Sequence, residues 1–218
     1  MRYSRKFNSI AKRTDSTMPY KIIPPFYPIV YVRGYAMTAS AREEAFNNAY
    51  YGFADTSVEK RQAPPPDYFA ADIFESQLIR FMKMKQYGYC DEVNRDKTSF
   101  LVDPTRSIWI SRFYDQDFFQ QKVRNIEDHA EELRQLVCVQ IPDRLKNDLD
   151  VDLGPGDRDY KVILLAHSMG GLVCRTLIQN LLPNANQDPK RWIYRMVTMA
   201  TPHGGIKLGL LPMKCKIS

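Results

Sequence analysis

Cysteine is scarce and unpatterned in this 218-residue chain: Cys90, Cys138, Cys174 and Cys215 stand far apart, with no C-x-x-C spacing among them. That excludes a zinc ribbon or a dithiol redox motif and points to free thiols in a reducing, cytoplasmic compartment. Long apolar runs are also missing. Val162–Ala166 is the longest near the centre of interest, far short of the roughly 18 residues a membrane-spanning helix requires, so no transmembrane segment is expected. Peripheral contact with a membrane stays compatible with the sequence. No glycine-rich phosphate loop and no internal repeat occur; Gly154 and Gly156 precede a strand rather than opening a helix, which makes them turn residues. No metal or other cofactor is expected.

Charge of one sign is concentrated rather than spread. The chain carries a net +6, but Met1 to Lys21 holds six basic residues (Arg2, Arg5, Lys6, Lys12, Arg13, Lys21) against Asp15, a local +5 that leaves the remainder close to neutral. Residues 1–27 therefore read as a basic, poorly ordered tail, with an anionic-surface contact or a targeting segment as alternatives. A neutral body argues against nucleic acid as the partner. With 44% hydrophobic residues, the rest is long enough to bury one core, and 28–218 reads as one domain.

What is present is a sharp signature at residues 161–175, Lys-Val-Ile-Leu-Leu-Ala-His-Ser-Met-Gly-Gly-Leu-Val-Cys-Arg. A strand-forming run meets a serine among small residues, and a helical pattern starts at once. This is the pattern of a nucleophile elbow with Ser168 at its tip. Small residues are needed at Ala166 and Gly170, because a strand that reverses into a helix within two residues holds the serine in a strained backbone with no room beside it.

Elsewhere, Pro24, Pro25 and Pro28 lead into a β-branched strand at Ile29–Val32, followed by a turn at Arg33–Ala36. Residues 38–67 show no period and read as a long, lid-like loop, and a helix is expected over 69–86. Ser107–Phe113 alternates as a strand. The spacing of Val123, Ile126, Ala130, Leu133, Leu136 and Val137 predicts an amphipathic helix that Pro142 should break or kink, with His129 on its solvated side. A strand at Val162–Leu165, a helix over 169–182 stopped by Pro183, and a strand at Ile193–Ala200 complete the pass. Strands alternating with helices predict an α/β fold: a mostly parallel, doubly wound sheet with helices on both faces.

Three segments together resemble the α/β-hydrolase superfamily: Val30–Tyr35, Ala166–Gly171 and Ala200–Gly205. The nearest likeness is to its lipase and esterase branch, including GPI inositol-deacylase-like and lecithin acyltransferase-like members. The resemblance implies a serine hydrolase that cleaves small-molecule or lipid carboxylic esters through an acyl-enzyme on Ser168. In a parallel sheet the loops after residues 32, 166 and 200 share one rim. There the backbone N–H groups of Met169 and Tyr35, or else Ala36, would stabilise an oxyanion. Arg33, Gly34, Ala36, His167 and His203 would line the substrate.

A serine also needs a base. Only Asp188 and His203 follow Ser168 as acid and histidine, and Asp188 precedes the last strand, roughly 25 Å from the rim at about 3.3 Å per residue. The resemblance makes His203 part of a substrate-lining loop rather than the base. Asp115 and Asp117 read as helix caps. The chain thus reads as the first two-thirds of a hydrolase, either truncated or an inactive copy that serves as a binding module.

Overall fold

In a computed structural model, the residues described are 18–34, 81, 87–89, 103–111 and 124–205. Five strands form one sheet: β2 (Ile29–Val32), β3 (Gly88–Tyr89), β4 (Ser107–Ser111), β6 (Val162–His167) and β7 (Ile193–Met199). Their order is β3-β4-β2-β6-β7 and every pairing is parallel. A second pair joins β1 (Tyr20–Lys21) to β5 (Val151–Asp152), also in parallel. The architecture is α/β, a mostly parallel sheet flanked by helices.

Residues 18–27, expected to belong to a basic tail, are packed onto the fold. Tyr20 and Lys21 are hydrogen-bonded into β1, and Ile22 and Tyr27 are buried. Their apolar side chains outweigh the basic character of the stretch. Residues 1–17 lie outside the described residues, as do the 38–67 loop and, apart from Phe81, the helix expected over 69–86.

The strands β2 and β4 are buried along their whole length. Alternation predicts one covered face for Ser107–Ser111; instead every residue of it is buried, as in a parallel sheet covered on both faces. Trp109, Tyr31 and Tyr160 are among the largest fully buried side chains, and burial of each such group contributes on the order of 1.5–3 kcal/mol. The Trp109 indole donates to Ser107 Oγ at 2.8 Å, and the Arg144 guanidinium lies 5.5 Å from its ring centroid.

The helix α1 (Ile126–Gln135) begins at a capping box, Asn125 Oδ1 accepting from the Asp128 amide while Asp128 Oδ2 accepts from the Asn125 amide. It passes without interruption through a wide turn (Leu136–Gln140) into α2 (Ile141–Asn147), so Pro142 does not break it. The same device recurs where α3 (Met169–Thr176) continues through Leu177–Leu181 into α4 (Leu182–Asn184), past Pro183. In both places an N–H bonds five residues back, Ile141 to Leu136 and Leu182 to Leu177. A proline lacks an N–H and crowds the carbonyl four residues earlier; loosening the turn just before it removes both conflicts and lets the helix continue.

Another departure is His129. It is only 3% exposed, not solvated. Standing three residues after Ile126 and four before Leu133, it falls within an inward stripe wider than the apolar residues alone define.

Candidate functional site

The chain leaves β2 toward β3 and β4 on one side of the sheet, whereas it leaves β6 toward β7 on the other. Two neighbouring strands whose connections depart in opposite directions leave a crevice at their C-terminal ends, which is where open parallel sheets bind ligands. The residues after Val32 and His167 stand at that switch point.

Val32 pairs with Ala166, and Ala166 with Thr198. One step further along, Arg33, His167 and Met199 form a row across the rim, and one step beyond that come Gly34, Ser168 and Ala200. Ser168 adopts φ 50, ψ −125 between β6 and α3, and its N–H donates to the Met199 carbonyl at 2.9 Å. For a residue with a side chain this backbone conformation costs on the order of 1–3 kcal/mol. Ala200, its neighbour across the row, also has φ 50. Two adjacent strands thus end in non-glycine residues held at positive φ, a concentration of strain typical of sites that must be pre-shaped.

Glycines make room around the serine. A Cβ on Gly34 would sit 2.8 Å from Ser168 Cβ and 3.0 Å from His167 Nδ1. At Gly170 it would meet the Val32 carbonyl and lie 2.5 Å from the Arg33 carbonyl oxygen, so α3 rests directly on the end of β2. At Gly171 it would meet Thr201, whose Cγ2 would be 2.5 Å away. The sequence signals the need for a small residue at position 170 but misses the reason: the close neighbour is the backbone of β2. The Gly171–Thr201 contact and the positive φ of Ala200 were missed outright. The paired Gly170-Gly171 at a helix start was the available signal.

His167 is partly buried, and its pKa is lowered, first by burial and then by the nearby Arg33 charge, so its imidazole favours the neutral form. His203 is exposed. Its Nε2 lies 3.2 Å from Thr198 Oγ1, its N–H donates to the Thr201 carbonyl at 2.9 Å, and its own carbonyl accepts from Arg175 Nη1 at 3.1 Å. These bonds fasten the Thr201–Gly205 loop to both β7 and α3. Asp188 sits at the opposite edge, capping the short α5 (Pro189–Trp192) by accepting from the Lys190 amide at 2.9 Å. Cys174 is fully buried, with its thiol pKa raised by desolvation. Tyr35, Ala36, Asp115 and Asp117 lie outside the described residues.

The arrangement therefore presents a serine at a strained strand-to-helix turn, the Met169 amide at the start of α3, and rows of rim residues from three neighbouring strands. A hydroxyl so placed can attack a carbonyl carbon, and a helix-start amide can receive the charge that develops on the carbonyl oxygen. No helix among the described residues is long and apolar enough to cross a membrane.

Residues 116–214 match the family described as "Putative serine esterase (DUF676)". The match covers a little under half of the chain and spans β6, the Ser168 turn, α3 and the Thr201–Gly205 loop. It supports a serine hydrolase of esterase type. No curated protein matches the chain.

Proposed function

We propose that the protein cleaves carboxylic esters through an acyl-enzyme on Ser168. The observation that carries this reading is the serine backbone at φ 50, ψ −125 where β6 turns into α3, at the switch point of a parallel sheet. In the first step Oγ bonds to the ester carbon while the Ser168 Oγ–H proton passes to a general base, and the carbonyl oxygen becomes an oxyanion. The Met169 N–H and, by the resemblance, the Tyr35 N–H receive it. On collapse the ester C–O bond breaks and the base returns its proton to the departing alkoxide, giving the alcohol; water, deprotonated by the same base, then attacks the acyl carbon, and the proton goes to Ser168 Oγ as the acid leaves. One such N–H donor lowers the barrier by about 3–4 kcal/mol.

The lipase or esterase branch, with a lipid or other small-molecule ester as substrate, belongs to the same proposal. The free thiols of Cys138 and Cys174 support a reducing compartment, the cytoplasm. A second reading, a hydrolase-fold binding module without turnover, draws on His203 being fastened to Thr198 and on Asp188 lying at the far edge.

Incubation of the protein with a fluorophosphonate followed by peptide mapping decides between the two. Adduct on Ser168, absent from a folded Ser168→Ala variant, is the expected result. A folded protein that takes up no label overturns the esterase reading and leaves the binding module.

A further inference from the structure

The first turn of α3 is gripped from two sides, and the grips differ in kind. On the β2 side a Cβ on Gly170 would meet the Val32 and Arg33 carbonyls, so the contact is backbone against backbone. On the β7 side a Cβ on Gly171 would fall onto the Thr201 side chain, 2.5 Å from Cγ2 and 2.8 Å from Cβ. Thr201 therefore fills the volume that a side chain at position 171 would take, and it rests against the helix backbone. The Gly171 N–H donates to the Ser168 carbonyl at 3.1 Å, closing a turn that contains the Met169 amide. A side chain that fixes Gly171 thus fixes the direction of both Ser168 and Met169.

Thr201 is itself braced. Its carbonyl accepts from the His203 N–H at 2.9 Å, and the His203 carbonyl accepts from Arg175 Nη1 at 3.1 Å, one helical turn beyond Gly171. The His203 ring ties the loop to Thr198, and Met199, two residues before Thr201, holds the Ser168 N–H. Buried polar groups are ordinarily hydrogen-bonded, yet Thr201 Oγ1 is buried and bonds to nothing among the described residues. A hydroxyl in that position acts by the space it fills, so the branched outline of the side chain is what bears on α3.

We propose that Thr201 is a positioning residue of the Ser168 site: acting through Gly171, its branched side chain sets the angle at which Ser168 Oγ and the Met169 N–H meet the ester carbonyl. The proposal rests on the esterase reading and deepens it.

The test uses one fluorophosphonate with a short alkyl chain and separates its limiting labelling rate, kinact, from its half-saturating concentration, KI, on protein shown by circular dichroism to be folded. Thr201→Ala empties the space beside Gly171. It is expected to lower kinact about 10-fold and to leave KI within about 2-fold of wild type, because a displaced nucleophile slows the chemical step. Thr201→Val keeps the branched outline and is expected to restore kinact to within about 2-fold of wild type. An unchanged kinact in folded Thr201→Ala assigns Thr201 to stability alone and overturns the proposal. So does an equal loss in Thr201→Val, which would make the hydroxyl the active feature, or a rise in KI alone, which would make Thr201 a wall of the pocket. In each of those cases labelling of the wild type still upholds the esterase, whereas a folded wild type that takes up no label removes both. Should Thr201→Ala not fold, Thr201→Ser, which gives up Cγ2 alone, replaces it: a kinact at least about 3-fold below that of Thr201→Val is expected, and equal values overturn the proposal.

Discussion

Gly34 lies so close to Ser168 that a single methyl group placed on it would come within 2.8 Å of the serine Cβ. The two residues are separated by most of the chain yet share one packing constraint. Gly34→Ala should therefore displace either the serine or the turn after β2. Overpacking of this kind costs about 1–3 kcal/mol, and a nucleophile moved by about an ångström can lose on the order of 100-fold in rate. We expect a folded protein whose fluorophosphonate labelling rate, followed by intact-mass spectrometry, drops by about that factor. An unchanged rate would mean that the turn yields without moving Ser168.

Strain at position 168 predicts a trade between stability and chemistry. Glycine adopts φ 50 freely, so Ser168→Gly should relieve about 1–3 kcal/mol of strain while adding about 0.5–1 kcal/mol of unfolded-state entropy. A net gain of about 1 kcal/mol is expected, read as a higher urea midpoint, together with complete loss of labelling. Ser168→Ala keeps the strain and should leave the midpoint where it is.

Gly171 and Thr201 should be energetically coupled. Gly171→Ala improves helix propensity by about 1 kcal/mol but drives a methyl group into the Thr201 side chain. The single variant should be destabilised. Adding Thr201→Ala removes Oγ1 and Cγ2 and should recover about 0.5–3 kcal/mol as an interaction energy in a double-mutant cycle. Strict additivity would show that the loop is not seated on α3 in solution.

Alkaline pH should unfold the protein through its buried acids. Burial raises the phenols of Tyr31 and Tyr160 and the thiol of Cys174, and pushes the Cys138 thiol up to about 12. Groups that hold their protons more tightly when folded contribute stability that is intact below their unfolded values, 9.0 for the thiols and 10.0 for the phenols. The contribution is lost as pH rises beyond them. The urea midpoint should decline above about pH 9 and fall faster above about pH 10. In a spectrophotometric titration the two phenols should ionise only as the fold is lost. His167 acts at the other end: its pKa is lowered in the fold, so stability falls as pH drops below the ordinary value of 6.5.

The elements that position Ser168 were legible because they are long and patterned. Ile29–Val32 and Val162–Ala166 are β-branched and apolar runs that suit covered strands, Ile193–Met199 is a longer strand-forming run that is only partly buried, and the residue spacing beyond Ser168 is helical from its first turn. Two-residue strands such as Tyr20–Lys21 and Val151–Asp152 carry no period to detect. Pro142 and Pro183 misled, since the rule that proline interrupts a helix presumes a regular turn before it, and here the turn loosens instead. His129 falls on the polar side of the stripe that the apolar residues define, yet it is buried because the inward face of the helix is wider than that stripe. Around the site, residue types suggested where small side chains were needed. Which backbone or side chain each glycine accommodates depends on contacts between segments far apart in the chain, and no local pattern encodes those.

The switch point has a mechanical corollary. Because β2 and β6 are joined by more than a hundred residues and their onward connections depart in opposite directions, a molecule seated across Gly34 and Ser168 would act as a rivet that reinforces the pairing of two stretches far apart in sequence. Whatever occupies the crevice would oppose the parting of those strands, so occupancy and resistance to unfolding should rise together.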